Sequence, residues 1–211
     1  MEAFINHHQY NLIREQVKLI SDSYAKSNSH DVTSAIKALA AERVFNQFEE
    51  LTPLQKDILS PISMLSDSKE AEVFLNSLES VIIPFPQISE AGIKKLFKKV
   101  KKLKVPANIK EETLHCSYIG WNDYGASKKY LIVEHHGKLI GVAGEFNRIQ
   151  DKGVCTICHR ISDVGLFMNQ KKASSDGTFI KRGNYICQDS EWCNDHLTDR
   201  SKLTEFIEWL Y

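Results

Sequence analysis

The sequence predicts an α+β fold: a helical bundle over residues 1–84, then an α/β domain over residues 85–211 with an antiparallel sheet and a four-cysteine finger from about residue 153. Three observations carry this expectation. Apolar residues recur at three- and four-residue steps up to about Ile83, the helical period, and give way beyond Pro106 to β-branched and aromatic runs. Pro84 and Pro86 stand between the two regimes; neither can donate to a helix, and each biases its predecessor toward extended backbone. Four of the five cysteines cluster in the last third of the chain.

In the first region Ile13, Val17, Ile20 and Tyr24 fall on one face of a helix, and Asn28 and Ser29 mark the turn after it. A second helix carries Ile36, Ala40, Val44 and Phe48, with Asp31 suited to cap it because a short side-chain oxygen accepts from the free amides of a first turn. Thr52-Pro53-Leu54-Gln55 reads as a capping box with proline at the first helical position, where its missing N–H costs nothing. Pro61 ends or kinks that third helix. Asp67 and Glu70 open a fourth, whose stripe is Ala71, Phe74, Leu75, Leu78 and Ile82. Four short amphipathic helices make a bundle.

Past the prolines, Ser89 to Lys104 reads as a basic helix, with Ile93, Leu96, Phe97, Val100 and Leu103 on one stripe among seven lysines between positions 94 and 104. Leu114 to Trp121, Lys129 to Glu134 and Lys138 to Phe146 read as strands, joined by turns at Asn122 to Ala126 and at His136-Gly137. Two further strands, Val164 to Met168 and Thr178 to Arg182, are expected around a Ser174-Ser175-Asp176-Gly177 turn. Asp189 to Cys193 starts a helix, and Leu203, Phe206, Ile207 and Leu210 stripe a last one.

Cys155-Thr156-Ile157-Cys158 is a C-x2-C knuckle that presents two thiolates from one tight turn. Cys187 and Cys193, a looser C-x5-C pair at a strand end and a helix start, complete a tetrahedron of the treble-clef type. One structural Zn2+ is therefore expected on Cys155, Cys158, Cys187 and Cys193. Cys193-x2-His196 leaves a second ligand set open, with His196 in place of Cys187, and His159 lies beside the knuckle. Four reduced cysteines that are merely buried are the plainer alternative, since free cysteine is among the most buried residues. A redox C-x-x-C would sit where a strand feeds a helix in a βαβ pattern, which is lacking around Cys155. If protein fills all four coordination positions, no place is left for a reactive water, and no bond chemistry is expected. Cys116 is the spare thiol.

Composition narrows the function class. With 42% hydrophobic residues, 26% charged residues and five prolines, the chain reads as globular. A formal net charge of zero argues against retention on nucleic acid by bulk electrostatics. No apolar run approaches the roughly 20 residues of a membrane span. Asn6, His7, His8 and Gln9 stand where a signal peptide would be apolar, so a reducing cytoplasm is the expected location. There is no Gly-rich phosphate loop, G-x-S-x-G or H-E-x-x-H, and Asp123, Glu145 and Asp189 have no spacing that marks a catalytic pair. Glu134-His135-His136 would suggest a metal or acid–base site, but adjacent strand residues face opposite ways, so a turn flank is the expected role. The lysine run offers contacts to RNA phosphates, against the simpler reading of a solvated helix face.

Five collinear blocks carry a resemblance: His8-Gln9-Tyr10-Asn11-Leu12-Ile13-Arg14; Leu96-Phe97-Lys98-Lys99-Val100-Lys101-Lys102-Leu103-Lys104; Gly120-Trp121-Asn122 with Lys129-Tyr130-Leu131-Ile132; Gly153-Val154-Cys155-Thr156-Ile157-Cys158; and Gly183-Asn184-Tyr185-Ile186-Cys187-Gln188-Asp189-Ser190. Together they resemble the FusB-type proteins of Gram-positive bacteria, which bind elongation factor G and confer resistance to fusidic acid. The similarity spans nearly the whole chain and is weakest between about Tyr24 and Leu78. It implies a helical N-terminal domain and a C-terminal domain ending in a four-cysteine treble clef. It also implies a partner, the C-terminal domains of elongation factor G, and an action: release of the factor from ribosomes on which the drug has trapped it, with neither drug nor factor modified. The family's partner contacts fall on Val154, Arg182, Tyr185 and Phe206. Aromatic and guanidinium side chains often anchor interfaces because they join contact area to directed hydrogen bonds. Phe206 also lies on the apolar stripe of the last helix, which is a core position. Val154 stands where the family pattern has phenylalanine, so less contact is expected there. The competing expectation is a ribosome- or RNA-binding zinc protein with no part in drug resistance. In either case a monomer is expected, with no membrane or DNA partner.

Overall fold

A computed structural model describes residues 2–26, 29–107, 109, 115–172 and 179–210, leaving aside the side chains of residues 171–172. The chain divides into two compact units, Met1–Ile83 and Pro84–Tyr211.

In the first unit, α1 (His7–Lys26), α2 (His30–Phe45), α3 (Pro53–Leu59) and α4 (Ser68–Leu78) enclose a core that includes Ile13, Val17, Ile20, Val44, Leu59, Phe74 and Leu78. Gln9 explains part of the first motif: its side-chain oxygen accepts from the Asn6 amide at 2.8 Å and its amide group donates to the Gln47 carbonyl at 2.8 Å. Both halves of the Thr52 capping box form, with Gln55 N–H donating to Thr52 Oγ1 at 3.3 Å and Thr52 N–H to Gln55 Oε1 at 2.9 Å. After Leu59 the chain tightens into a 3-10 turn, Ser60–Ser63, that holds Pro61. Asp67 caps α4 by accepting from Glu70 N–H at 2.8 Å. Ile82 lies past the end of α4, where it is buried and bridges to Ile5.

Three expectations for this unit are corrected. Ser29, not Asp31, holds the N-cap position of α2, and Asp31 falls in the first turn, where its charge still faces the positive end of the helix. Phe48 lies beyond the helix but packs with Phe4, ring centroids 5.9 Å apart. Tyr24 is 37% exposed, with the Lys37 ammonium 5.1 Å from its ring centre, so a cation–π contact stands in for burial. Asn28 lies outside the described residues.

The second unit is built on a five-stranded antiparallel meander, β1 (Tyr118–Asp123), β2 (Lys128–His135), β3 (Lys138–Val154), β4 (Ile161–Lys172) and β5 (Phe179–Cys187), each paired with the next in chain order. Its central strands are covered on both faces, which accounts for the unbroken apolar run Tyr130–Val133. Tyr130 and Ile132 join a cluster with Ile93 of α5 (Glu90–Leu96), Phe97 and Trp121; Leu131 and Val133 join one with Leu203, Phe206, Ile207 and Leu210 of the last helix (Arg200–Leu210). Trp121 and Tyr130 stack at 5.1 Å, and Phe97 meets both edge-on at 5.6 and 5.3 Å. The hairpin turn at His136-Gly137 has positive φ at both residues, +48° and +70°, the backbone that a two-residue turn needs to match the strand twist.

Several boundaries move. The basic helix ends at Leu96 and not at Lys104. Lys94 and Lys98, Lys95 and Lys99, and Lys98 and Lys102 would each lie one turn apart in a longer helix, and their mutual repulsion opposes it. Phe97, Val100 and Leu103 reach the core without the helix, and the Trp121 indole N–H binds the Lys104 carbonyl at 2.9 Å. The first strand begins at Tyr118; Leu114 lies outside the described residues. β3 runs on from Phe146 to Val154, with a register shift between Arg148 and Lys152, because pairing with β4 satisfies the backbone of a stretch whose polar side chains hide it from pattern reading. β4 and β5 are likewise longer than expected, so the strands between the cysteine pairs belong to the main sheet. Thr178 and the turn at Ser174 to Gly177 lie outside the described residues. The turn after β1 is a 3-10 stretch, Tyr124–Ala126, capped by Asp123.

Candidate metal centre and adjoining face

Two strand ends and one short helix bring the cysteines together. Cys155 follows β3; its N–H binds the Arg160 carbonyl at 3.0 Å and its carbonyl accepts from His159 N–H at 2.9 Å, closing the knuckle. His159 takes φ +56° there, which turns the chain back into β4. Cys187 ends β5. Asp189 then caps α6 (Ser190–His196) by accepting from Glu191 and Trp192 N–H at 2.8 and 3.1 Å, and this helix carries Cys193.

All four cysteines are buried, and their sulfur atoms lie within 4.8 Å of one another. Cys155 Sγ is 3.8 Å from Cys193 Sγ, and Cys158 Sγ is 3.6 Å from Cys187 Sγ. Four sulfurs about 2.3 Å from a tetrahedral zinc stand about 3.8 Å apart, whereas a disulfide would bring a pair to about 2.05 Å. The Ile157 and Cys187 amides donate to Cys155 Sγ at 3.3 and 3.4 Å, as suits a thiolate. Four buried cysteines are thus positioned to bind one zinc ion. His196 points elsewhere: its Nδ1 lies 2.7 Å from the Trp192 carbonyl and its ring stacks on Trp192 at 3.9 Å. His159 is exposed.

The sulfurs are too crowded to ionise together without a cation. Hydrogen bonds from Cys158, Cys187 and Cys193 hold Cys155 below the ordinary thiol range, while donating to Cys155 pushes Cys187 and Cys193 above it. A divalent ion would remove the conflict, because bound thiols are deprotonated.

Beside the centre, Lys129 is fully buried on β2. Its ammonium donates to Asn122 Oδ1 at 3.2 Å and to the Gln188 carbonyl at 3.0 Å, and it sits 5.1 Å from the Phe146 ring centre. Burial lowers it to about 8, while the sulfurs of Cys193 and Cys187 pull the other way. Asn122 also donates to the Gln188 carbonyl at 2.8 Å, and Asn194 of α6 bonds both the N–H and the carbonyl of Tyr118. Gly120 allows α6 its close approach: a Cβ there would stand 2.5 Å from Ser190 Oγ. The sequence block Gly120-Trp121-Asn122 with Lys129 is therefore the seam between sheet and finger.

Exposed apolar side chains flank the knuckle. Val154 and its cross-strand partner Ile161 are 58% and 69% exposed, and Tyr185, whose carbonyl accepts from Thr156 N–H at 2.9 Å, is 43% exposed. Arg182 is half-buried, with Nη1 donating to the Trp209 carbonyl at 2.9 Å, so it satisfies one of the open carbonyls in the last turn of α7, the helix Arg200–Leu210. Phe206 is buried against Phe167, ring centroids 5.9 Å apart. Of the four positions read as partner contacts, two are exposed, one is half-buried and one lies in the core. Sequence reasoning missed Ile161, which only its register opposite Val154 brings to this face. It also missed the burial of Lys129, which the third sequence block includes but which residue type alone does not separate from half-buried Lys128.

The carboxylates considered for catalysis have other partners. Asp123 caps the 3-10 turn after β1, Asp189 caps α6, and Glu145 pairs with Lys181 at 3.5 Å. Among the described residues, no helix is long and apolar enough to cross a membrane.

Comparison with known proteins adds three findings. Residues 4–86 match the family model for the N-terminal part of the elongation factor G-binding protein, and residues 91–206 match that for the FBP C-terminal treble-clef zinc-finger. The chain is similar to a solved structure described as that of the fusidic acid resistance protein FusC, with 32% sequence identity over 98% of this chain and 97% of that one and a TM-score of 0.81. No curated protein sequence matches.

Proposed function

Because this chain belongs to the elongation factor G-binding protein family and carries that family's treble-clef zinc finger, we propose that it binds the C-terminal domains of elongation factor G and promotes the factor's release from the ribosome. Resistance to fusidic acid then follows by protection of the target, in the cytoplasm where translation runs, with a monomer acting and no bond made or broken. The zinc is structural: with four sulfurs around it, it holds the knuckle and leaves no position for water. The observation that carries the reading is the exposure of three apolar side chains, Val154, Ile161 and Tyr185, around the cysteine-held knuckle. Tyr185 and Val154 contact the factor directly; Phe206 acts through the core and Arg182 through its hold on the Trp209 carbonyl. We also assign residues 1–84 and 85–211 as two separately folding domains.

Release requires a preference. The protein must bind more tightly to a conformation of the factor that the ribosome holds less tightly, since equal affinity for both forms shifts nothing. The test is release of drug-trapped factor from ribosomes, by wild type and by Tyr185→Ala. Wild type should accelerate release and the variant should lose most of the effect. No binding of the purified factor at micromolar concentration would overturn the reading.

One observation favours a second reading. Lys95, Lys98, Lys99, Lys128 and Lys181 border a single groove beside α5, a placement suited to nucleic-acid phosphates. Salt-sensitive RNA binding that is lost when Lys98, Lys99, Lys101 and Lys102 become alanine would support it.

A further inference from the structure

Glu134-His135-His136 looks unfit for a shared ligand while the chain is treated as a strand, because alternation would send the two rings to opposite faces. The backbone removes that objection. β2 ends at His135, which pairs with Lys138, and His136 belongs to the turn with φ +48°. The left-handed residue folds the second ring back onto the first, and the ring centroids lie 4.0 Å apart at a 56° tilt. A third donor comes from α7. That helix buries Phe206, Ile207 and Leu210 under the sheet, which leaves Glu208 exposed beside the hairpin. One donor atom from each of His135, His136 and Glu208 lies within 4.8 Å of the others.

We propose that His135, His136 and Glu208 form a second metal site, for a divalent cation of the zinc class, that clamps the β2–β3 hairpin to the end of α7. Two imidazoles and one carboxylate suit borderline cations, whereas calcium and magnesium prefer all-oxygen sets. Nitrogen and oxygen ligands about 2.0–2.1 Å from a tetrahedral ion stand about 3.4 Å apart. The required closure is within reach of side-chain rotation, since His136 and Glu208 are exposed and His135 is half-buried. Glu134 is not a fourth ligand, because Arg200 of the same helix holds both its carboxylate, at 3.2 Å, and its carbonyl, at 3.1 Å. The remaining position is open to water, so this ion exchanges readily, unlike one enclosed by four buried sulfurs. The site does not depend on the proposed function.

The experiment is calorimetric titration of Zn2+ into tag-free, full-length protein that already holds zinc in its finger. Wild type should bind one further equivalent, and zinc should slow amide exchange in the last turn of α7. His136→Asn keeps a residue that tolerates the left-handed backbone but removes the imidazole; Glu208→Gln removes the charge. Each should weaken the added equivalent by about 10–100-fold, at least the cost of losing an outer-shell partner, while the tightly held zinc stays bound. Absence of a second equivalent below millimolar zinc, or unchanged affinity in both variants, would overturn the assignment. Should His136→Asn fail to fold, Glu208→Gln alone decides.

Discussion

In the first unit an aliphatic and aromatic cluster, from Ile5 and Ile13 to Phe74 and Leu78, forms the core, with polar Asn11, Gln16, Ser23 and Thr33 buried beside it and no cysteine in it. In the second, one continuous cluster runs from Leu131 and Val133 through Phe167 and Phe206 into Cys155, Cys158, Cys187 and Cys193. The first therefore rests on many contacts of similar size, each replaceable at moderate cost. The second places its four sulfurs in the interior, where one ion substitutes for the apolar contacts that a larger finger would have. Within the second unit cysteine itself takes two roles: half-buried Cys116 packs against the cluster of Phe97 and Trp121 as a small hydrophobe, whereas four buried sulfurs within 4.8 Å cannot all ionise unless a cation joins them.

The largest test of this contrast is metal removal. Chelation, or Cys155→Ser, should unfold the finger, with a loss on the order of 10 kcal/mol, seen as rapid amide exchange from residue 153 onward. Exchange in α1 and α4 should stay slow; simultaneous loss there would show that the units do not stand apart. Phe206→Ala, in the cluster shared with the cysteines, should cost about 3–5 kcal/mol in chemical denaturation. Leu78→Ala in the helical core should cost about 2–5 kcal/mol and leave zinc content unchanged. Tyr185→Ala should weaken binding to elongation factor G by about 2 kcal/mol, roughly 30-fold by calorimetry, and leave stability within about 0.5 kcal/mol of wild type. Lys129→Met removes the buried cation beside the sulfurs and should lower zinc affinity about 10–100-fold in a chelator competition. The smallest effect is expected from Thr52→Ala, which breaks the capping box of α3 at about 1 kcal/mol in thermal unfolding, with no effect on metal.

What the sequence made legible was whatever depends on neighbours in the chain. The Thr52 and Asp67 caps, the His136-Gly137 turn and the C-x2-C knuckle are local devices, and they form as read. What it hid depends on partners far along the chain. The polar stretch from Asn147 to Lys152 is strand because β4 pairs with it, Ile161 is exposed because it faces Val154 at the sheet end, and Lys129 is buried where Gln188, between β5 and α6, and Asn122 enclose its ammonium. The basic segment after Leu96 shows a third case, in which an apolar stripe met the helical period but charge repulsion decided the local backbone.

The strand order, in which each strand pairs only with the next, has a consequence for synthesis. Pairing between chain neighbours closes short loops, so β1 to β3 are free to zip while the rest of the polypeptide is still being made. The sulfurs arrive in a different order, two after β3, one at the end of β5 and the last in α6. A nascent chain thus acquires its hairpins first and captures its ion last, once residue 193 has left the exit tunnel.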